Sequence, residues 1–146
     1  MIDPTEAVLA FFRSQSGVTS TVTADAQHGI YPADELPFDP DDQSTPPSMV
    51  TIQEVPGSIA LSSPRIRARF FVRAYAPTLA KATLIYNALW DACRGPGGVA
   101  RGPTVIPDHG LMRSVVLSRP TVTIEDQGWP VAVGTLDAGF NAYEGA

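Results

Sequence analysis

The chain has 146 residues, enough for one ordinary domain with a core of its own and with little room for a second. Its apolar share of 44% suits a globular fold, and its net charge of −5 argues against a dedicated nucleic-acid binder. A single cysteine, Cys93, excludes an internal disulfide and a cysteine-rich zinc module.

The opening MIDPTEAVLAFF has neither a basic start nor a long apolar run, so no signal peptide is expected. No stretch approaches the ~20 apolar residues of a membrane span. The expected setting is a cytoplasm-like compartment, or a particle assembled there.

The first predicted element is a helix. Asp3 caps it, Pro4 suits the first helical position, and Glu6 completes an Asp-x-x-Glu box. Val8, Phe11 and Phe12 share one face, and the pattern ends near Ser16 and Gly17. Residues 18–23 are rich in Val and Thr and suggest a strand, as do residues 28–31. The segment PADELPFDPDDQSTPP, about 33–47, has the proline and acid content of an exposed loop, and Asp34, Glu35, Asp39, Asp41 and Asp42 crowd into it. Residues 49–55 (MVTIQEV) form the next strand, stopped by Pro56 and Gly57.

Residues 65–75 carry the clearest pattern. Ile66, Ala68, Phe70, Val72 and Ala74 point one way; Arg65, Arg67, Arg69, Phe71, Arg73 and Tyr75 point the other. This period of two predicts a strand with one buried and one cationic face. Thr78 then caps a helix over 79–93, with Ala82, Ile85, Tyr86, Leu89 and Cys93 as its apolar stripe. Arg94 suits its C-terminal dipole, and Gly95 the left-handed position that ends it. Residues 95–107 (GPGGVARGPTVIP) look like a flexible connection. Strands are expected at 111–117, at 121–125 and, after a turn at 127–130, at 131–143, with Gly134 or Gly139 as the site of a bulge. The expected fold class is α+β: a single domain, mostly antiparallel sheet, two helices packed on one face, and long Pro/Gly-rich loops.

No catalytic, cofactor or metal site emerges. His28 and His109 lie in polar loops without metal-ligand spacing. Asp39, Asp41 and Asp42 lack the glycine and distant glutamate of a calcium loop. Cys93, on the apolar side of its helix, suits a buried thiol better than a nucleophile. The run Gly95-Pro96-Gly97-Gly98 follows a helix instead of opening one, so it cannot cradle a phosphate. Tyr86, Trp90 and Trp129 suit core or interface positions better than a ligand pocket.

The row Arg65, Arg67, Arg69, Arg73 is the unusual charge feature. It has three readings: a solvated sheet face, a partner for the acidic loop of a neighbouring subunit, or a sequence-blind contact with DNA phosphates. The negative net charge favours the subunit contact over DNA.

Three stretches together carry a family likeness: the helix opening DPTEAVLAFF, the strand–helix unit RIRARFFVRAYA–TLAKATLIYNALWDACRG, and LMRSVVLSRPTVTIEDQGWPVAVGTLDAGFNAY with its Gly-Trp-Pro turn. In these the chain resembles the tail-terminator (tail-completion) proteins of long-tailed bacteriophages. The resemblance covers most of the chain outside about 33–47. It implies a non-enzymatic virion protein at the neck, forming a ring, commonly of six copies, on the end of the tail tube. The ring would stop tube growth and offer a surface for joining the head. The implied partners are other copies of the chain, the tail tube protein and a head-completion or connector protein, with non-specific contact to passing genomic DNA left open. The neighbouring reading is another head–tail connector. A small monomeric module binding a ligand or peptide stands further off.

Overall fold

A computed structural model describes residues 3–25, 27–62, 65–95 and 101–141. Helix α1 (Pro4–Arg13) starts where its cap predicts: the Asp3 carboxylate accepts from the amides of Thr5 and Glu6, at 3.0 and 3.4 Å. It buries Ala7, Val8, Leu9, Phe11 and Phe12. It stops at Arg13, short of Ser16, and a second short helix, α2 (Ser16–Thr19), follows.

The strand expected at 18–23 is therefore absent. Thr19, Ser20 and Thr21 each turn their hydroxyl back to the carbonyl three residues earlier, which favours helical turns over an extended chain. The strand expected at 28–31 is displaced. His28 and Gly29 have positive φ (56° and 69°) and form a turn, and β1 (Ile30–Pro32) begins after them.

A 3-10 turn, Pro40–Asp42, interrupts the long loop before β2 (Met49–Glu54). The remaining elements are β3 (Ala60–Ser62), β4 (Arg65–Tyr75), α3 (Leu79–Ala92), β5 (Thr104–Ile106), β6 (Gly110–Leu117), β7 (Thr121–Ile124) and β8 (Pro130–Asn141). Two short strands, β3 and β5, have no counterpart in the expected order. β5 lies inside the segment expected to be a plain connection, whose residues 96–100 are outside those described, as are 142 and 143 of the last expected strand.

All eight strands join one sheet in the order β1-β2-β4-β8-β6-β5, with β3 beside β4 and β7 beside β8. Only β1 and β2 run parallel; the other pairings are antiparallel. The spine is β4 against β8, paired without interruption from Arg65↔Asn141 to Tyr75↔Val131. The α+β class and the largely antiparallel sheet are as expected, with α2 as a third helix.

The main core lies between the helices and one face of this sheet. Ala68, Phe70, Val72 and Ala74 of β4 meet Phe11 and Phe12 of α1 and Ile85, Tyr86 and Leu89 of α3 in one buried cluster. Here α3 packs tightly because position 134 has no side chain. A Cβ at Gly134 would overlap the Tyr86 hydroxyl, which donates to the Ser118 carbonyl at 2.7 Å. So Gly134 answers close packing, not a bulge.

The sheet's bulge is on the partner strand β6, between Met112 and Ser114, opposite Phe140 and Gly139. The end of α3 also differs from expectation. Gly95 is not left-handed; Cys93 ends the helix in right-handed geometry, and the Arg101 guanidinium donates to the Ala92 carbonyl at 2.8 Å. A side chain from beyond the helix thus satisfies a terminal carbonyl that a glycine cap otherwise serves.

Candidate interaction surface

The alternation along β4 sends its odd-numbered residues to the face opposite the helices, and that face has two unlike ends. At the Tyr75 end it is closed. Tyr31, Met49, Tyr75, Trp129 and Val131 form a second buried cluster, against which Leu36 and Phe38 of the acidic loop pack. The rings of Tyr75 and Trp129 meet edge to face at 5.6 Å, and the Trp129 indole N–H donates to the Gln43 carbonyl at 3.1 Å. Burial raises the Tyr75 phenol above its ordinary pKa, helped by its 2.7 Å hydrogen bond to Glu125. Tyr75, grouped by sequence with the cationic face, is therefore a core residue. The loop over 33–47 is also not a free excursion, since its apolar side chains hold it to the sheet.

The loop's carboxylates divide into two groups. Asp39, Asp41 and Asp42 sit at the 3-10 turn, all exposed, where the Asp39 carboxylate accepts from the Asp41 amide at 3.0 Å. Asp34 and Glu35 instead join Asp3, Glu6 and Glu54 around a separate acidic concavity of ≈ 700 Å³.

The arginines divide as well. Arg69 is neutralised by Asp137 of β8, directly across the strand pair, at 2.8 Å. That partner holds its guanidinium above its already high pKa. Arg73 donates to the Gln53 side chain at 3.1 Å and stacks over the Phe71 ring at 5.4 Å. Arg65 and Arg67 have no hydrogen-bond or ion-pair partner among the described residues.

These two meet a third arginine that the sequence reading passed over. Arg113 is the extra residue of the β6 bulge, and its Nε donates to the Asn141 side chain. Arg65, Arg67 and Arg113, with Ser114 and Gly139, line a trough of ≈ 330 Å³ whose described lining holds no carboxylate. Gly139 keeps it open, since a Cβ there would come within 2.8 Å of the Ser114 hydroxyl. The trough runs into a larger depression of ≈ 720 Å³ that shares Arg67, Ser114 and Gly139 and continues to Arg69 and Asp137. A sequence signal for the bulge does exist. The buried residues of β6 are Met112, Val115 and Leu117, and the step of three breaks the period of two.

The other singled-out residues stay apart from this surface. His28 is exposed in its turn and His109 half-buried in the turn before β6. No group of three or more His, Cys, Asp or Glu able to hold a metal occurs among the described residues. Burial pushes the Cys93 thiol up to about 12, which leaves it a protonated, poor nucleophile at neutral pH. Trp90 is half-buried beside Arg94, while Trp129 belongs to the cluster on the opposite face, so Tyr86, Trp90 and Trp129 line no common pocket.

No protein-family model matches the chain, and no curated protein matches it. Among solved structures it is similar to a chain of the virion of a native gene transfer agent (GTA) particle. The TM-score is 0.50 at 18% identity, over 88% of this chain and 95% of that one. At this identity the likeness is one of fold.

Proposed function

We propose that this chain is a structural protein of a phage-like virion, a tail terminator that caps the finished tail tube as a ring, stops its growth and presents a surface for head–tail joining. One observation carries the proposal: the fold is shared, over nearly the whole length of both chains, with a component of a GTA virion. The sequence likeness to tail terminators points the same way.

The surface is compatible with that role. A ring built from identical copies needs two different, complementary patches on each copy. The sheet face carries an acidic turn at one end and unneutralised arginines at the other. The tail tube protein and a head-completion or connector protein are the further partners this role requires, and the neck of the virion is the place.

Deleting the gene in its parent particle and imaging the lysate by negative-stain electron microscopy tests the proposal. Unjoined heads beside tails of overlong or irregular length are expected. Unjoined heads beside tails of normal length would move the chain to head completion. Normal infectious particles would refute a neck role altogether.

A further inference from the structure

We infer that neighbouring copies join as plug and socket: the acidic turn Pro40–Asp42 of one copy seats in the Arg65–Arg67–Arg113 trough of the next. The inference rests on the ring proposed above and identifies its contact.

The socket is built for anionic oxygens. Two strands and a bulge bring three guanidinium groups to one concavity, with the Ser114 hydroxyl beside them and no carboxylate among the described lining. The neighbouring Arg69 is already matched to Asp137, and Arg73 is turned to the Gln53 side chain and the Phe71 ring, so the arginines without a described partner gather at this end of the face. Guanidinium groups pair carboxylates through two parallel N–H···O bonds, which fixes orientation as well as attraction.

The plug is exposed and held in a 3-10 turn. Asp41 and Asp42 are exposed, and their carboxylates have no partner among the described residues. Behind them Leu36 and Phe38 of the same loop pack at the Tyr75–Trp129 end of the sheet, and Trp129 holds the Gln43 carbonyl at 3.1 Å. Little loop entropy is left to lose on docking.

Plug and socket of one copy cannot meet. They occupy opposite ends of the same sheet face: Arg67 and Tyr75 are eight residues apart on β4, ~26 Å at ~3.3 Å per residue. Complementary patches placed this way join copies head to tail, the contact that closes into a ring when each step adds a rotation. DNA phosphate is the competing occupant. The acidic turn on the same face and the net charge of −5 disfavour it.

The test uses two surface variants of the full chain, Asp41→Asn/Asp42→Asn with its socket intact and Arg65→Gln/Arg67→Gln with its plug intact. Thermal unfolding establishes that each is folded, and sedimentation velocity at low salt reads assembly. Wild type is expected to form a closed oligomer that salt weakens, and each variant alone to associate about tenfold or more weakly. The equimolar mixture is expected to stop at a heterodimer, because only one intact plug and one intact socket remain per pair.

Variants that assemble like wild type, a mixture that stays monomeric, or a wild type monomeric at every concentration would each overturn the contact. So would retained assembly accompanied by loss of binding to a labelled DNA duplex in the arginine variant, which would make the trough a phosphate site. Capping of isolated tail tubes, scored separately, tells failure of this contact from failure of the ring proposal: tubes capped by a wild type lacking the contact leave that proposal standing.

Discussion

Along β4 the face beneath the helices is closed from one end to the other, whereas the opposite face is closed at the Tyr75 end and open at the Arg65 end. One strand, β4, runs through both situations. Its even-numbered residues are buried from Ile66 to Ala74, while its odd-numbered ones pass from exposed Arg65, Arg67 and Arg69 to buried Tyr75. Strand periodicity decides which face a side chain joins, but what covers that face decides whether it becomes core or surface. The helices cover the first face. Leu36, Phe38 and the Trp129–Gln43 hydrogen bond bring a loop over part of the second. The uncovered remainder is where Arg65 and Arg67 keep no partner among the described residues.

Substitutions along this gradient should lose effect as cover thins. Phe70→Ala, in the middle of the helix-covered core, should cost about 3–5 kcal/mol in chemical denaturation. A smaller loss would mean that the core collapses around the cavity. Gly134→Ala should cost about 1–3 kcal/mol by overpacking against the Tyr86 hydroxyl. Adding Tyr86→Phe to Gly134→Ala should recover part of that loss, and failure to do so would place the crowding elsewhere.

On the loop-covered end, Trp129→Phe removes one hydrogen bond, worth about 0.5–1.5 kcal/mol. The same substitution should make the 33–47 loop more susceptible to limited proteolysis; unchanged cleavage would mean that Leu36 and Phe38 suffice to hold it. At the open end Arg69→Gln should leave unfolding unchanged, because its pair with Asp137 is solvent-exposed. A measurable loss there would blur the contrast between the two ends.

The closed regions also set the response to alkali. Cys93 is raised from 9.0, and Tyr31, Tyr75 and Tyr86 are raised from 10.0, each chiefly by burial. Below pH 9 these groups are protonated in both folded and unfolded chains and add no pH dependence. Above those values the unfolded chain releases protons that the folded chain keeps, so stability falls as pH rises. Tyr75→Phe should make the decline above pH 10 less steep, as read by unfolding midpoints across that range. An unchanged slope would show that Tyr75 ionises freely in the folded protein.

Much of the fold was legible because its signals are local. The period of two across 65–75 gave β4 with its bounds, and Asp3 and Thr78 are the caps their side chains suggest. What failed to show depends on distant partners. Residues 18–23 have strand-like composition but turn back on themselves through hydroxyl–carbonyl bonds. The three-residue strands β3 and β5 exist because β4 and β6 offer them edges, and so short a segment carries no period.

The same divide runs through the interaction surface. Arg65 and Arg67 were visible as a row, but the cancelling of Arg69 by Asp137, 68 positions along the chain, was not. Arg113 reaches the trough only because a bulge shifts it out of alternation. Tyr75 lies on the face its period gives it, but its burial there was not legible, because Trp129 arrives from another strand and brings the loop with it.

The most direct test of the proposed role is to add purified protein to tail tubes grown without it and to image them by electron microscopy. The account predicts added density at one end of each tube and an arrest of further elongation. Tubes that stay bare, or that carry the protein along their sides while continuing to grow, would contradict it.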